Sequence, residues 1–467
     1  MGKKWIRLPV EAGREKMDRY RFKRTVMLAM LAAATLVTVS APASAQEATG
    51  TIPVGSSPNS VVANPATDRI YVSNQLDNTV SVIDGATDAI TATIAVGSSP
   101  TLMALNPATN RIYVVDAGSD SVSVIDGATN TVVATVPAGK QPTRILVNPT
   151  TNRAYVTNFL GGSLTVINGA TNSVVTTVAV GIRPTVMALN PSMNRLYVVN
   201  TNGGNVSVVD TSTNAVVATI PVGAGPEAIA VNPVTSRIYV GNTFVNSVTV
   251  IDGATNSAIA TIPVGVQPLS MAISPTGNRI YVANFNGNSV SVIDGATNAV
   301  PTTIEVGAGD TFLALNPTTN RLYVADELAN SISVIDLATS KVAATIPVGN
   351  HPEAMAVNPS TGRVYVVDGG SKSISVITDR ATAAPTPATA ASPTAPASTA
   401  VAATPSATRG VAAPSSASTT PSAVAAAPSS QSGSKTSATP FVAAGVAVLA
   451  VVALALWVAY RRAASRR

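Results

Sequence analysis

The chain has 467 residues, no cysteine and one histidine, which excludes disulfides, thiolate metal sites and His-rich metal or haem sites. Its formal charge of +6 is unevenly spread: residues 46–378 hold 13 Lys and Arg against 19 Asp and Glu, a net −6, and the basic residues crowd the two ends. Phosphate neutralisation needs a basic footprint, so nucleic-acid binding by that central block is disfavoured.

The first 24 residues contain nine Lys or Arg, followed by an apolar run from Thr25 to Ser40 and the small residues Ala43-Ser44-Ala45. A basic lead, a short apolar core and an A-x-A site predict a signal peptide over 1–45, cleaved after Ala45. Met17 offers a second translation start within the basic lead.

From Gln46 to Thr378 the chain repeats. Arg69, Arg111, Arg153, Arg195, Arg237, Arg279, Arg321 and Arg363 stand 42 residues apart, and a Tyr follows each at the second position, from Tyr71 to Tyr365. A period of this size marks a repeat architecture. Within the third copy, four stretches alternate apolar and polar residues between turn signals: Thr143 to Asn148 (strand a), Arg153 to Thr157 (b), Ser163 to Ile167 (c) and Ser173 to Val180 (d). Asp-Gly or Asn-Gly commonly links c to d, a hairpin signal because Gly accepts positive φ.

Four antiparallel strands per 42-residue unit describe a propeller blade. Strands a, b and c each occur eight times, yet no d strand follows the last c strand. Residues Ala48 to Val54, A-T-G-T-I-P-V, match the d strands Ala218 to Val222 and Ala260 to Val264. The expectation is an all-β, eight-bladed β-propeller in which the N-terminal strand completes the last blade and removes the open sheet edge.

Tyr155-Val156-Thr157-Asn158, with the flanking R-x-Y-V-x-N, S-V-S-V-I-D and T-I-P-V-G-x-x-P pieces, resembles the YVTN β-propeller repeat family over about 330 residues. That resemblance implies a propeller, commonly of seven blades, of a kind found in secreted and cell-surface proteins, most without an assigned reaction. The eight copies here depart from the common number.

Residues 379–440 are nearly all Ala, Pro, Ser and Thr, which predicts a disordered stalk. Phe441 to Tyr460 is an uncharged apolar run long enough to span a bilayer, and residues 461–467 carry four Arg, as a cytoplasmic tail would. The expected topology is a single-pass type I membrane protein with an extracytoplasmic propeller and one C-terminal transmembrane helix.

Residues present in every blade serve every blade, so they read as structural. Function is sought instead where the repeat breaks, in the d-to-a and b-to-c loops that share one rim. Candidate contacts there are Lys140, Arg144, Phe159 and Arg183 on one side, with Glu227, Phe244, Phe285, Asp310, Glu327, His351 and Glu353 on the other. No catalytic, cofactor-binding or metal-ligating set is recognisable: Asp116 and Asp120 lack the rest of a calcium loop, and His351 with Glu327 and Glu353 lacks further ligands. The reading is a surface binding or structural protein without cofactor, contacting protein or glycan through its rim and the membrane through Phe441 to Tyr460. The alternative is a lactonase-like hydrolase or lyase with its site at the channel mouth.

Overall fold

The computed structural model describes residues 46–379. The expected signal peptide, stalk, transmembrane helix and basic tail lie outside the described residues, and no helix within them is long and apolar enough to cross a membrane.

Eight four-stranded antiparallel sheets follow one another along the chain. Seven take their strands in sequence order; the eighth combines Pro352–Asn358, Arg363–Asp368 and Ser373–Thr378 with the N-terminal strand Ala48–Pro53. The register of that closure runs from Ala48 opposite Ile377 to Pro53 opposite Ser373. This is an eight-bladed β-propeller.

The first strand of each blade is innermost, touching its counterparts on both sides. Because a blade packs on both faces, its inner strands are apolar on both: Val61, Ile145 and Met355 point one way and Val62, Leu146 and Ala314 the other, all buried. Each outer strand keeps only one deeply buried side chain, such as Ile52, Val136 or Ile346. The eight repeated tyrosines are at most 1 % exposed and lie between blades.

Repeated Arg and Asn side chains tie several blades to the next, whereas Arg111, Arg195 and Arg279 pair with Asp126, Asp210 and Asp294 of their own blade. Arg69, Arg237 and Arg363 donate from Nη1 to the carbonyls of Gly127, Gly295 and Gly85, in the c-to-d turn of the following blade. Asn64 and Asn106, ending the inner strand, donate to Asn110 and Asn152 of the following blade at 2.7 and 2.8 Å. Asn358 makes the same bond to Asp68 and so ties blade 8 to blade 1.

Asp379, one residue past the last strand, finishes the closure. Its buried carboxylate accepts from Gln46 Nε2 at 2.9 Å, Arg321 Nη1 at 2.6 Å, Asn316 Nδ2 at 2.6 Å and the Thr319 hydroxyl. The two ends of the described chain thus meet, and the apolar cluster between blades 8 and 1 completes the ring.

Candidate functional site: the loop rim and channel mouth

The rim is built by a loop code repeated in each blade. The Gly that opens each d-to-a loop faces the side chain of the residue ending strand b; a Cβ on Gly139 would lie 2.6 Å from Cγ of Asn158. The third residue of this loop has positive φ in every blade, and in five of the loops its N–H is caught by a b-to-c loop side chain, as Gln141 by Asp120 and His351 by Asn330. Side chains on these loops are therefore held by a fixed frame.

Set on this frame, the eleven candidate residues divide. Lys140 is exposed and donates to Asp120 at 2.8 Å, so its charge is answered locally. The Arg183 guanidinium lies 5.2 Å from the centroid of the Phe159 ring, a cation–π contact bridging two loops. Phe244 is 73 % exposed and overlies Gly225. His351 is half-exposed, and its Nδ1 lies 3.4 Å from Oε1 of the buried Glu327. Glu353 is half-buried against Gly369.

Four candidates are interior groups instead of rim contacts. Phe285 is tucked inward by the short 3-10 turn Phe285–Gly287. Glu327 is buried beneath His351. Asp310 is fully buried and begins an inner strand where the seven other blades have Pro; it accepts from the Asn284 N–H at 2.7 Å. Burial pushes its carboxyl up to about 8, with the neighbouring Asp326 adding to the effect. Arg144 is 1 % exposed, on the inner strand Pro142–Asn148. Burial pulls its guanidinium down to about 9, and the charge of Glu227 opposes this. Glu227, half-buried at the start of the inner strand of blade 5, is itself raised by burial, against which the Thr243 hydroxyl and Arg144 act. The cause is common to Arg144 and Asp310: the first residues of an inner strand already sit inside the ring.

The Asp116 and Asp120 pair does not form a calcium loop. Asp116 is buried and accepts from Ser123 Oγ at 2.7 Å, whereas Asp120 serves Lys140 and the Gln141 N–H. Among the described residues, no three His, Asp or Glu side chains converge as a metal site would need.

One feature of the rim escaped the residue-by-residue reading. The second residue after strand b in the odd-numbered blades is Leu76, Leu160, Phe244 and Leu328, exposed by 74, 63, 73 and 59 %. In the even-numbered blades the same place holds Gly118, Asn202, Asn286 and Gly370. Ile182 and Val266, in d-to-a loops, add to this apolar crown at 66 and 48 % exposure. A search at twice the repeat period, 84 residues, would have revealed the alternation.

Comparison with known proteins agrees with this architecture. The model of the YNCE-like β-propeller family matches residues 24–138 and 103–205. The chain is a β-propeller repeat protein. Among solved structures it is similar to Kuenenia stuttgartiensis hydrazine synthase, at 18 % identity and a TM-score of 0.51 over 70 % of this chain and 96 % of that one. It is also similar to the dihydro-heme d1 dehydrogenase NirN in complex with DHE, at 16 % identity and a TM-score of 0.56, over 72 % of this chain and 79 % of that one. At such identities these likenesses show the fold alone. No curated protein matches the chain.

Proposed function

We propose that this protein is a membrane-anchored, extracytoplasmic binding protein of the YVTN kind, which holds a protein partner through the rim formed by its b-to-c and d-to-a loops. The apolar crown carries this reading. Four large apolar side chains, each more than half exposed, recur on alternate blades of a rigid ring. Set at regular intervals around one rim, they offer a partner several apolar anchor points, and such side chains suit a protein better than a glycan. The basic lead, the A-x-A site and the apolar run Phe441 to Tyr460 support the extracytoplasmic, anchored topology.

The test is an array of secreted and cell-surface proteins with a parallel glycan array, probed with residues 46–379 and with a Leu76→Ser, Leu160→Ser, Phe244→Ser, Leu328→Ser variant. Saturable binding to a protein that weakens at least tenfold in the variant is the expected result. Equal binding by the variant, or binding confined to glycans, would overturn the proposal.

A further inference from the structure

We propose that two copies of this chain meet rim to rim on a two-fold axis, with each crown residue of one copy seated on a small or polar loop residue of the other. This rests on the crown being a protein-contact surface, and it names the partner as a second copy.

The alternation around the rim is self-complementary. Leu76, Leu160, Phe244 and Leu328 stand on blades 1, 3, 5 and 7, and the equivalent places on blades 2, 4, 6 and 8 hold Gly118, Asn202, Asn286 and Gly370, all of them exposed. Because the number of blades is even, the alternation closes around the ring without a break. A two-fold contact uses the same patch on both copies, so that patch must fit itself. An axis lying between the two faces reverses the blade order, and blade n of one copy then covers blade m of the other with n + m fixed. An odd sum sets every large side chain over a Gly or an Asn. An even sum stacks large on large and props the faces apart.

Two further features select a sum of nine among the odd values. Ile182 lies in the loop between blades 3 and 4 and Val266 in the loop between blades 5 and 6, exposed by 66 and 48 %. At a sum of nine these loops cover each other, so Ile182 of each copy meets Val266 of the other. The axis then passes over the loop Val54 to Ser57, between blades 8 and 1. Asp77 holds that loop from blade 1, accepting from the Ser56 N–H at 2.6 Å, and Lys372 holds it from blade 8, its carbonyl accepting from the Val54 N–H at 2.9 Å. Both side chains are exposed. The two-fold exchanges the sides of the loop, which brings Lys372 of each copy opposite Asp77 of the other, and such charge matching fixes register. One arrangement thus answers the apolar and the charged groups together, with Leu76 on Gly370, Leu160 on Asn286, Phe244 on Asn202 and Leu328 on Gly118. Gln46 and Asp379 lie on the opposite face, clear of the contact.

The chain has no cysteine, so single cysteines can map the contact. Full-length Leu160→Cys and Asn286→Cys chains, co-expressed and treated in the expressing cells with a short bis-maleimide, should join to each other, and neither should join to itself. Residues 46–379 should sediment as a dimer whose dissociation constant rises at least tenfold in the Leu76→Ser, Leu160→Ser, Phe244→Ser, Leu328→Ser variant and several-fold in Lys372→Glu. Leu160→Cys joined to itself, a wild type that stays monomeric at every concentration, or a dimer that the crown variant forms equally well overturns the proposal. A monomer that still captures another protein through the crown would sink this inference and leave the rim reading standing. A monomer that captures none would sink both.

Discussion

The residue that ends strand b is Asn in five blades and Asp116, Asp326 or Asp368 in three. Asn74 and Asn158 donate to Ser or Thr hydroxyls of strand c, whereas the aspartates accept from Ser123, Ser333 and Ser375. Burial pushes these three carboxyls up to about 6, and Asp310 up to about 8. Raised carboxyls hold a proton more tightly in the folded state than in the unfolded chain. Their folded state is therefore relatively favoured near pH 4, and that advantage is lost as pH rises through 6 and then 8. The loss is on the order of 2 to 3 kcal/mol for each of the three carboxyls pushed up to about 6. Melting temperature should fall between pH 5 and pH 8.5. Changing Asp116, Asp326 and Asp368 to Asn should raise the melting temperature at pH 8 and flatten the lower part of the curve, leaving the step due to Asp310. The Asn or Asp choice is plain in the sequence, but its consequence is not, because the burial that shifts these groups comes from neighbouring strands.

Strands were the most legible elements. Alternation between turn residues places strand a of the third copy at Thr143 to Asn148, and it runs Pro142–Asn148. Loops were legible in position but not in conformation. His351 and Arg183 take φ of 53° and 52°, at a place where two other blades have Gly225 and Gly309. An L-residue there is strained by roughly 1 to 2 kcal/mol, partly offset by the chain entropy that Gly loses on folding. His351→Gly should accordingly leave stability unchanged or raise it by up to about 1 kcal/mol in urea titration. A loss of more than that would mean the Glu327 contact holds the loop together. Arg144, Phe285, Asp310 and Glu327 could not be separated from true rim residues by sequence, since loop and strand boundaries decide which side chains turn inward. The crown was hidden for another reason: its signal has twice the period of the fold.

Blade number and closure followed from counting strand types, because a missing d strand at one end and a spare one at the other have one sensible solution. The role of Asp379 did not, since it lies just past the last recognisable strand. It is the buried partner of Arg321 and also holds Gln46, so it fastens the ring at both ends. Removing one member of a buried pair typically costs about 3 to 5 kcal/mol. Asp379→Ala should destabilise the ring by that order, and a chain ending at residue 378 should melt lower than one ending at 379. Equal denaturation midpoints would place the closure entirely in the Ala48–Pro53 strand pairing.

Asp379 and Gln46 meet on the side of the c-to-d turns, opposite the loops that carry the crown. Gln46 and Asp379, the two ends of the described chain, therefore lie side by side on the back of the disc. The ring thus has two unlike faces, one that carries both ends of the described chain and one that carries the exposed apolar side chains.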